Sequence, residues 1–400
     1  MPNFQILSPV RLPFRHTGAP MVALTFSKGA GRRKQALGKM GLPVFPFSGF
    51  FPHGARLVAM AKIKLTCPNC GQSFDGSTQR RDTQISCPGC KKSVPIPRAI
   101  RKKRLFYLLV PAALFALAIL WLLWPTGFHW KDRRPIGVLF LASNYHSSTT
   151  NPRGWFNNPA LDVTGPGGQE RFKQALFNYA SNSIAILKRV GAQGVIVWDL
   201  EGEKYPHKTT FIGDPRLLPT LAPEMAPVAD EFFKRFRDAG FSVGVTIRPQ
   251  QLVFENGIPR QTTVLDIKRL LLAKIDYART NWGATMFYID SNDGLWRPDE
   301  AWQLRLLARQ RPDVLLIPEH HYLPYWAFSA PYVSVRKGNP DTTTGLARKL
   351  YPNSFRVLNI GDASNDDVTV AWHEGDVVLF RAWYWNDDCR LVQNLQHKQP

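Results

Sequence analysis

The chain has 400 residues, 44% of them hydrophobic, with 51 Lys and Arg against 30 Asp and Glu for a net charge of +21. That length allows two or three domains and a sizeable core. Residues 1–104 hold 19 basic against 2 acidic residues (net +17) and the other 296 hold 32 against 28 (net +4), so the basicity does not mark a nucleic-acid-binding globular domain downstream.

Residues 1–59 contain no acidic residue, are rich in Pro, Phe, Gly and Arg, and show neither helix nor strand periodicity. The segment reads as disordered, with two alternatives: a targeting peptide, or translation that begins at Met60. From Met60 the chain reads MAKIKLTCPNCG and opens on a cysteine knuckle. Cys67 and Cys70 are followed, after 16 residues, by Cys87 and Cys90. Each CxxC presents two thiolates, and four complete the tetrahedral shell of Zn2+. Over residues 60–98 this resembles the zinc-ribbon family, with all four ligand positions matched. The resemblance implies a structural zinc and leaves the ribbon's partner open. A redox dithiol pair is the alternative, but a cytoplasmic location favours metal.

Residues 105–124, LFYLLVPAALFALAILWLLW, are apolar and free of charge. At about 1.5 Å per residue the run spans the ~30 Å hydrocarbon core of a bilayer. A buried core helix would show a polar stripe, and a cleaved signal would end on small residues rather than on Trp121-Leu122-Leu123-Trp124. The basic cluster Arg101–Arg104 precedes the run and places the N-terminus in the cytoplasm, with Lys131, Arg133 and Arg134 on the far side weakening the bias. The expectation is a single-pass anchor, with the C-terminal domain periplasmic or extracellular and basic residues beside anionic headgroups. That domain has one thiol, Cys389, and so no internal disulfide.

Residues 130–395 repeat a unit of amphipathic helix, glycine and short apolar strand. Gly191, Gly240 and Gly283 end three such helices, and the strands that follow are continuous apolar runs, as in parallel sheets covered on both faces. Eight candidate strands, at 136–143, 194–202, 242–249, 286–293, 314–320, 332–338, 355–362 and 376–385, predict an α/β fold of the (β/α)8 barrel type. Short crossovers in the second half keep an open doubly wound sheet as the alternative.

The strand ends are polar: Asp199 and Glu201, Arg248, Asp290 with Asn292 and Asp293, Glu319 with His320 and His321, and Asp362. In a barrel these ends meet on one rim, where carboxylates in different surroundings separate an acid from a base. An aspartate after strand four and a glutamate after strand five resemble the layout, and only the layout, of glycoside hydrolases on this fold. The resemblance implies Asp290 as nucleophile or base, Glu319 as proton donor and Asp362 as a third carboxylate on sugar hydroxyls, with Arg248 orienting Asp290. The amylase-type pattern has arginine two residues before its aspartate, where this chain has Tyr288.

Trp296, Trp326, Trp383 and Trp385 follow or finish strands near the expected rim, where indole faces stack on pyranose rings. Asp199, Glu201, Arg248, Asn292, Asp293, Trp296, His320, His321, Trp383 and Trp385 are therefore expected to line a carbohydrate site. Neighbouring His320 and His321 point to opposite faces of a strand, His146 stands alone and there is no HExxH, so a catalytic metal is disfavoured. Asn292 and the glycines of Gly165–Gly168 also read as turn residues. The alternative function is a non-catalytic carbohydrate- or cell-wall-binding receptor coupled to the ribbon.

Overall fold

In a computed structural model of the chain the described residues are 61–78, 84–95, 130–202, 212–256, 258–292, 298–333 and 343–397, with scattered positions between 110 and 124. They fall into two compact units, one around the cysteines and one comprising the C-terminal domain. Residues 1–59, with the expectations attached to them, lie outside the described residues.

In the small unit β1 (Ala61–Thr66) pairs antiparallel with β2 (Ser73–Thr78), and β3 (Gln84–Ser86) with β4 (Ser93–Pro95). Each hairpin turns through one cysteine pair. Cys67 N donates to Gln72 O and Cys87 N to Lys92 O, both at 2.9 Å. Among the described residues the buried apolar ones are few, chiefly Leu65, Cys67, Cys87 and Val94. So small a core cannot carry a fold by itself.

The large unit is a parallel seven-stranded sheet built from β5 (Ile136–Leu139), β6 (Gly194–Val197), β7 (Ser242–Ile247), β10 (Met286–Ile289), β11 (Leu315–Pro318), β12 (Val357–Asn359) and β13 (Val377–Arg381). The order is β11-β10-β7-β6-β5-β13-β12. Helices α1 (Gly168–Arg189), α2 (Ala229–Asp238), α3 (Ile267–Trp282), α4 (Pro298–Gln310), α5 (Thr343–Leu350), α6 (Asn365–His373) and α7 (Asp387–His397) are interspersed. Of the sixth expected strand the described residues show a bridge of Tyr332 on Val357, and residues 334–338 lie outside the described residues. That bridge joins the two edges of the sheet. On one side Ala330 N donates to Leu316 O at 3.0 Å and Tyr332 N to Pro318 O at 2.7 Å. On the other, Val333 N donates to Val357 O and Val357 N to Pro331 O, both at 3.0 Å. Closure in this order corrects the open-sheet alternative.

Strand side chains alternate between two cores, as the period of two requires. Ile136 and Val138, Ile196 and Trp198, Met286 and Tyr288, Leu315 and Ile317, and Val377 and Leu379 fill the interior. Val195 and Val197, Val243 and Val245, and Phe287 and Ile289 face the helices. Strand β7 offers the interior only Gly244 and Thr246, and a Cβ on Gly244 would lie 2.3 Å from Met286 O. The glycine is what lets β7 lie this close to β10. After β7 the chain forms a hairpin, β8 (Gln250–Glu255) with β9 (Ile258–Thr263), turning at Asn256 with φ of 52°.

Most of the apolar run 105–124 lies outside the described residues, and among those described no helix is long and apolar enough to cross a membrane. Its last residues touch α4. The ring of Trp121 is 3.9 Å from that of Trp302, and the Arg305 guanidinium lies 4.3 Å over Trp121.

Candidate active site at the barrel rim

Strands β10 and β11 bring Asp290 and Glu319 together around one residue. Ser291 takes a left-handed φ of 59°, a conformation non-glycine residues seldom adopt and one that collects at functional sites. The bend aims Ser291 N at Glu319 Oε2, 2.6 Å away. Ser291 Oγ lies 3.5 Å from Asp290 Oδ1. From β7, Arg248 donates through Nε to Asp290 Oδ2 at 2.6 Å and through Nη2 to the same oxygen. Behind it Arg248 Nη1 bonds Gln261 Oε1 of β9. Asp290, Glu319 and Arg248 are all largely covered, at 3%, 8% and 3% exposure.

Asn292 clasps the two strands from below. Its Oδ1 accepts from Glu319 N at 2.6 Å, and its Nδ2 donates to the Tyr325 hydroxyl at 3.1 Å, which in turn donates to Glu300 Oε1 at 3.2 Å. Both ends of the Asn292 amide are thus occupied by protein, which argues for a structural role rather than the sugar contact expected from its place in the sequence.

Tyr288 stands at the centre of the constellation. Burial pushes its hydroxyl well above the ordinary value, and the surrounding Glu319, Tyr332, Asp290 and Asp362 add to the rise. Asp362 arrives from the turn after β12 and accepts a hydrogen bond from the Tyr332 hydroxyl. An aromatic path crosses the barrel mouth beside it. Tyr332 lies 5.6 Å from Tyr288, Tyr288 4.2 Å from Trp198, Trp198 5.9 Å from Phe140 and Phe140 5.5 Å from Trp383. Trp383 is half-buried and also meets Tyr384, 5.8 Å away.

The carboxylates after β6 behave differently from one another. Asp199 accepts from Leu141 N and Ala142 N, one per oxygen and both at 2.7 Å, so it ties two strand ends together. Glu201 is 2% exposed. Burial pushes its carboxyl up to about 8, with Asp214 and Asp199 adding to the rise while its own N–H and Lys274 oppose it. It therefore holds its proton at neutral pH. Lys274 is lowered to about 8 by burial, with Arg216 adding and Asp214 and Glu201 opposing.

Other expected residues lie elsewhere. Trp385 carries the Arg189 guanidinium 3.7 Å over its ring, so that face is not open to a sugar. Trp326 is buried in the outer core. His320 is exposed and His321 half-buried, and neither joins a metal-holding group among the described residues. Asp293 and Trp296 lie outside the described residues. An open groove of about 610 Å³, lined by Asp230, Arg237, Tyr277 and Trp282 on α2 and α3, includes none of the rim carboxylates.

The four cysteines have the geometry of a metal site. Cys67 Sγ is 3.6 Å from Cys90 Sγ, Cys70 Sγ is 3.6 Å from Cys87 Sγ, and all four lie within 4.8 Å of one another. None is in a disulfide, and an all-thiolate set of this size suits a closed tetrahedral site.

No family model matches the chain, and no curated protein matches it. Among solved structures it is similar to a noncanonic maltogenic alpha-amylase from Thermotoga neapolitana, at 15% identity over 66% of this chain and 76% of that one, with a TM-score of 0.39. It is also similar to the alpha-fucosidase of Thermotoga maritima, at 11% identity over 67% and 72% with a TM-score of 0.35. An alpha-amylase from Lactobacillus plantarum gives 11% identity over 66% and 79% with a TM-score of 0.40. Likeness this distant decides nothing about activity; the barrel rests on its own hydrogen bonds and the site on its own residues.

Proposed function

We propose that the barrel is a glycosidase, with Asp290 as nucleophile or base, Glu319 as proton donor and Asp362 gripping substrate hydroxyls. The observation that carries this is the meeting of Asp290 and Glu319 at Ser291, on adjacent parallel strands at the rim where barrel enzymes work. The Arg248 guanidinium matches the carboxylate form of Asp290, the form needed to stabilise oxocarbenium-like charge. Of the aromatic path only half-buried Phe140 and Trp383 are partly open to a sugar, since Tyr288, Trp198 and Tyr332 are buried. Residues 105–124 are proposed to hold the barrel outside the cytoplasmic membrane as a single-pass anchor. The cysteines are proposed to hold one structural Zn2+ in a cytoplasmic ribbon whose partner the chemistry does not name.

A second reading has its own support. Asp290 and Glu319 are almost covered, and each already accepts a protein hydrogen bond. That arrangement also suits a receptor that binds carbohydrate without cleaving it. Turnover of activated aryl glycosides by the full chain in detergent separates the two. Turnover that Asp290→Asn abolishes supports the enzyme, whereas binding of wall oligosaccharides without turnover supports the receptor. Turnover that survives Asp290→Asn would move the chemistry to Glu201 rather than Asp199, whose oxygens are tied to the backbone.

A further inference from the structure

Lys274, on α3 behind the rim, takes no part in the chemistry proposed above. It is fully buried, on the same helix face as Leu271, Ile275 and Ala278. Its ammonium donates to three backbone carbonyls: Gly213 O at 3.0 Å, Arg248 O at 2.7 Å and Gln250 O at 2.9 Å. An ammonium has three donors, so all three are committed. Asp214 Oδ2 lies 3.6 Å away and is shared with Arg216, whose Nη2 is 2.8 Å from the same oxygen.

These carbonyls come from two separate rim segments, and both meet at the backbone of Arg248. Gly213 O also accepts from Arg248 N at 3.0 Å. Gly213 has a φ of 62°, and a Cβ there would lie 2.8 Å from Arg248 Cγ, so the approach requires glycine. From this clasp the Arg248 side chain reaches Asp290, and Gln250 Nε2 reaches Ser291 O at 2.8 Å.

We propose that Lys274 is a positioning residue that holds the backbone of Arg248 and Gln250 so that the Arg248 guanidinium stays fixed against Asp290. An apolar residue in its place takes the ammonium from the Arg248 and Gln250 carbonyls in a dry site and leaves Gly213 O with Arg248 N alone, and the Arg248 segment relaxes away from Asp290. Its importance for chemistry rests on the reading of Asp290 given above; its geometry does not.

The test reads Arg248 directly. In the full chain the Arg248 Nε–H resonance is assigned by its disappearance in Arg248→Lys, and its exchange with water is measured. Lys274→Met is expected to speed that exchange by about tenfold or more, because the buried pair opens more often. Leu271→Ala, a core truncation on the same helix, lowers the melting temperature but leaves the resonance as in wild type. Should Lys274→Met fail to fold, Lys274→Gln retains two of the three N–H donors and gives a smaller acceleration. Wild-type exchange in the lysine variant that folds, with a melting temperature lowered as in Leu271→Ala, overturns the proposal. A wild type inactive on every glycoside would sink the glycosidase reading and leave this result unaffected.

Discussion

Arg248 and Asp290 form an end-on pair within the barrel mouth: two guanidinium nitrogens address one oxygen, Asp290 Oδ2, with the side chains 4% and 5% exposed. Breaking such a pair from one side strands a charge where water cannot solvate it. Arg248→Met is therefore expected to cost about 3–5 kcal/mol. Combining it with Asp290→Asn should recover part of that loss, because no ion is then left uncompensated. Urea denaturation at pH 7 measures both. A cost below about 1 kcal/mol for Arg248→Met, the worth of an exposed pair, would contradict the buried geometry.

Glu201 gives stability a pH dependence of definite sign. Its carboxyl titrates at about 8 in the fold against an ordinary value of 4.5. The folded state thus binds the proton more tightly, so this contribution is complete below pH 4.5 and is lost as pH rises through 8, by up to about 1.4 kcal/mol per pH unit. Lys274 stays protonated in both states across most of that window and adds no slope there. Glu201→Gln keeps the shape and removes the titration. The variant should gain stability relative to wild type as pH rises from 5 to 8. An offset that does not change with pH would contradict the assignment.

The ribbon should bind one zinc per chain. Elemental analysis of the full chain is expected to find it, and Cys87→Ser to abolish it, since Cys87 is fully buried among the other three sulfurs. Because the unit buries so few apolar residues, metal binding is also its folding energy. Chelation should therefore expose the 61–95 segment to protease while the barrel stays resistant. A ribbon that resists protease after zinc is removed would contradict this.

The proposed anchor has a direct test. A reporter fused after Pro400 should be active outside the cytoplasm, and neutralising Arg101–Arg104 should randomise orientation by removing the basic bias ahead of the run. A C-terminus that protease cannot reach in spheroplasts would contradict it.

Much of the architecture was legible because it depends on local periodicity. The helix–glycine–strand repeat and the four cysteines need no tertiary information. Of the sixth strand, expected at 332–338, the described residues Tyr332 and Val333 pair where the sequence placed it, and 334–338 lie outside the described residues. The β8–β9 hairpin had a signal that went unused, Asn256-Gly257 between two strand-like runs. Lys274 had one too: a charge at helical spacing among Ile267, Leu271 and Ile275 lies on the buried stripe. Asn292 was legible as a turn residue, but its partners Glu319 N and the Tyr325 hydroxyl were not, nor was the Arg189 guanidinium over Trp385, which comes from a distant helix.

The central claim is tested most directly by turnover in the full chain carrying Asp290→Asn or Glu319→Gln, compared across aryl glycosides of rising leaving-group ability. The account predicts that Asp290→Asn abolishes turnover on all of them. It predicts that Glu319→Gln spares substrates with activated leaving groups and impairs the rest by about 10²-fold or more, since only a poor leaving group needs the proton. Equal losses across the series in Glu319→Gln, or full turnover in Asp290→Asn, would contradict it.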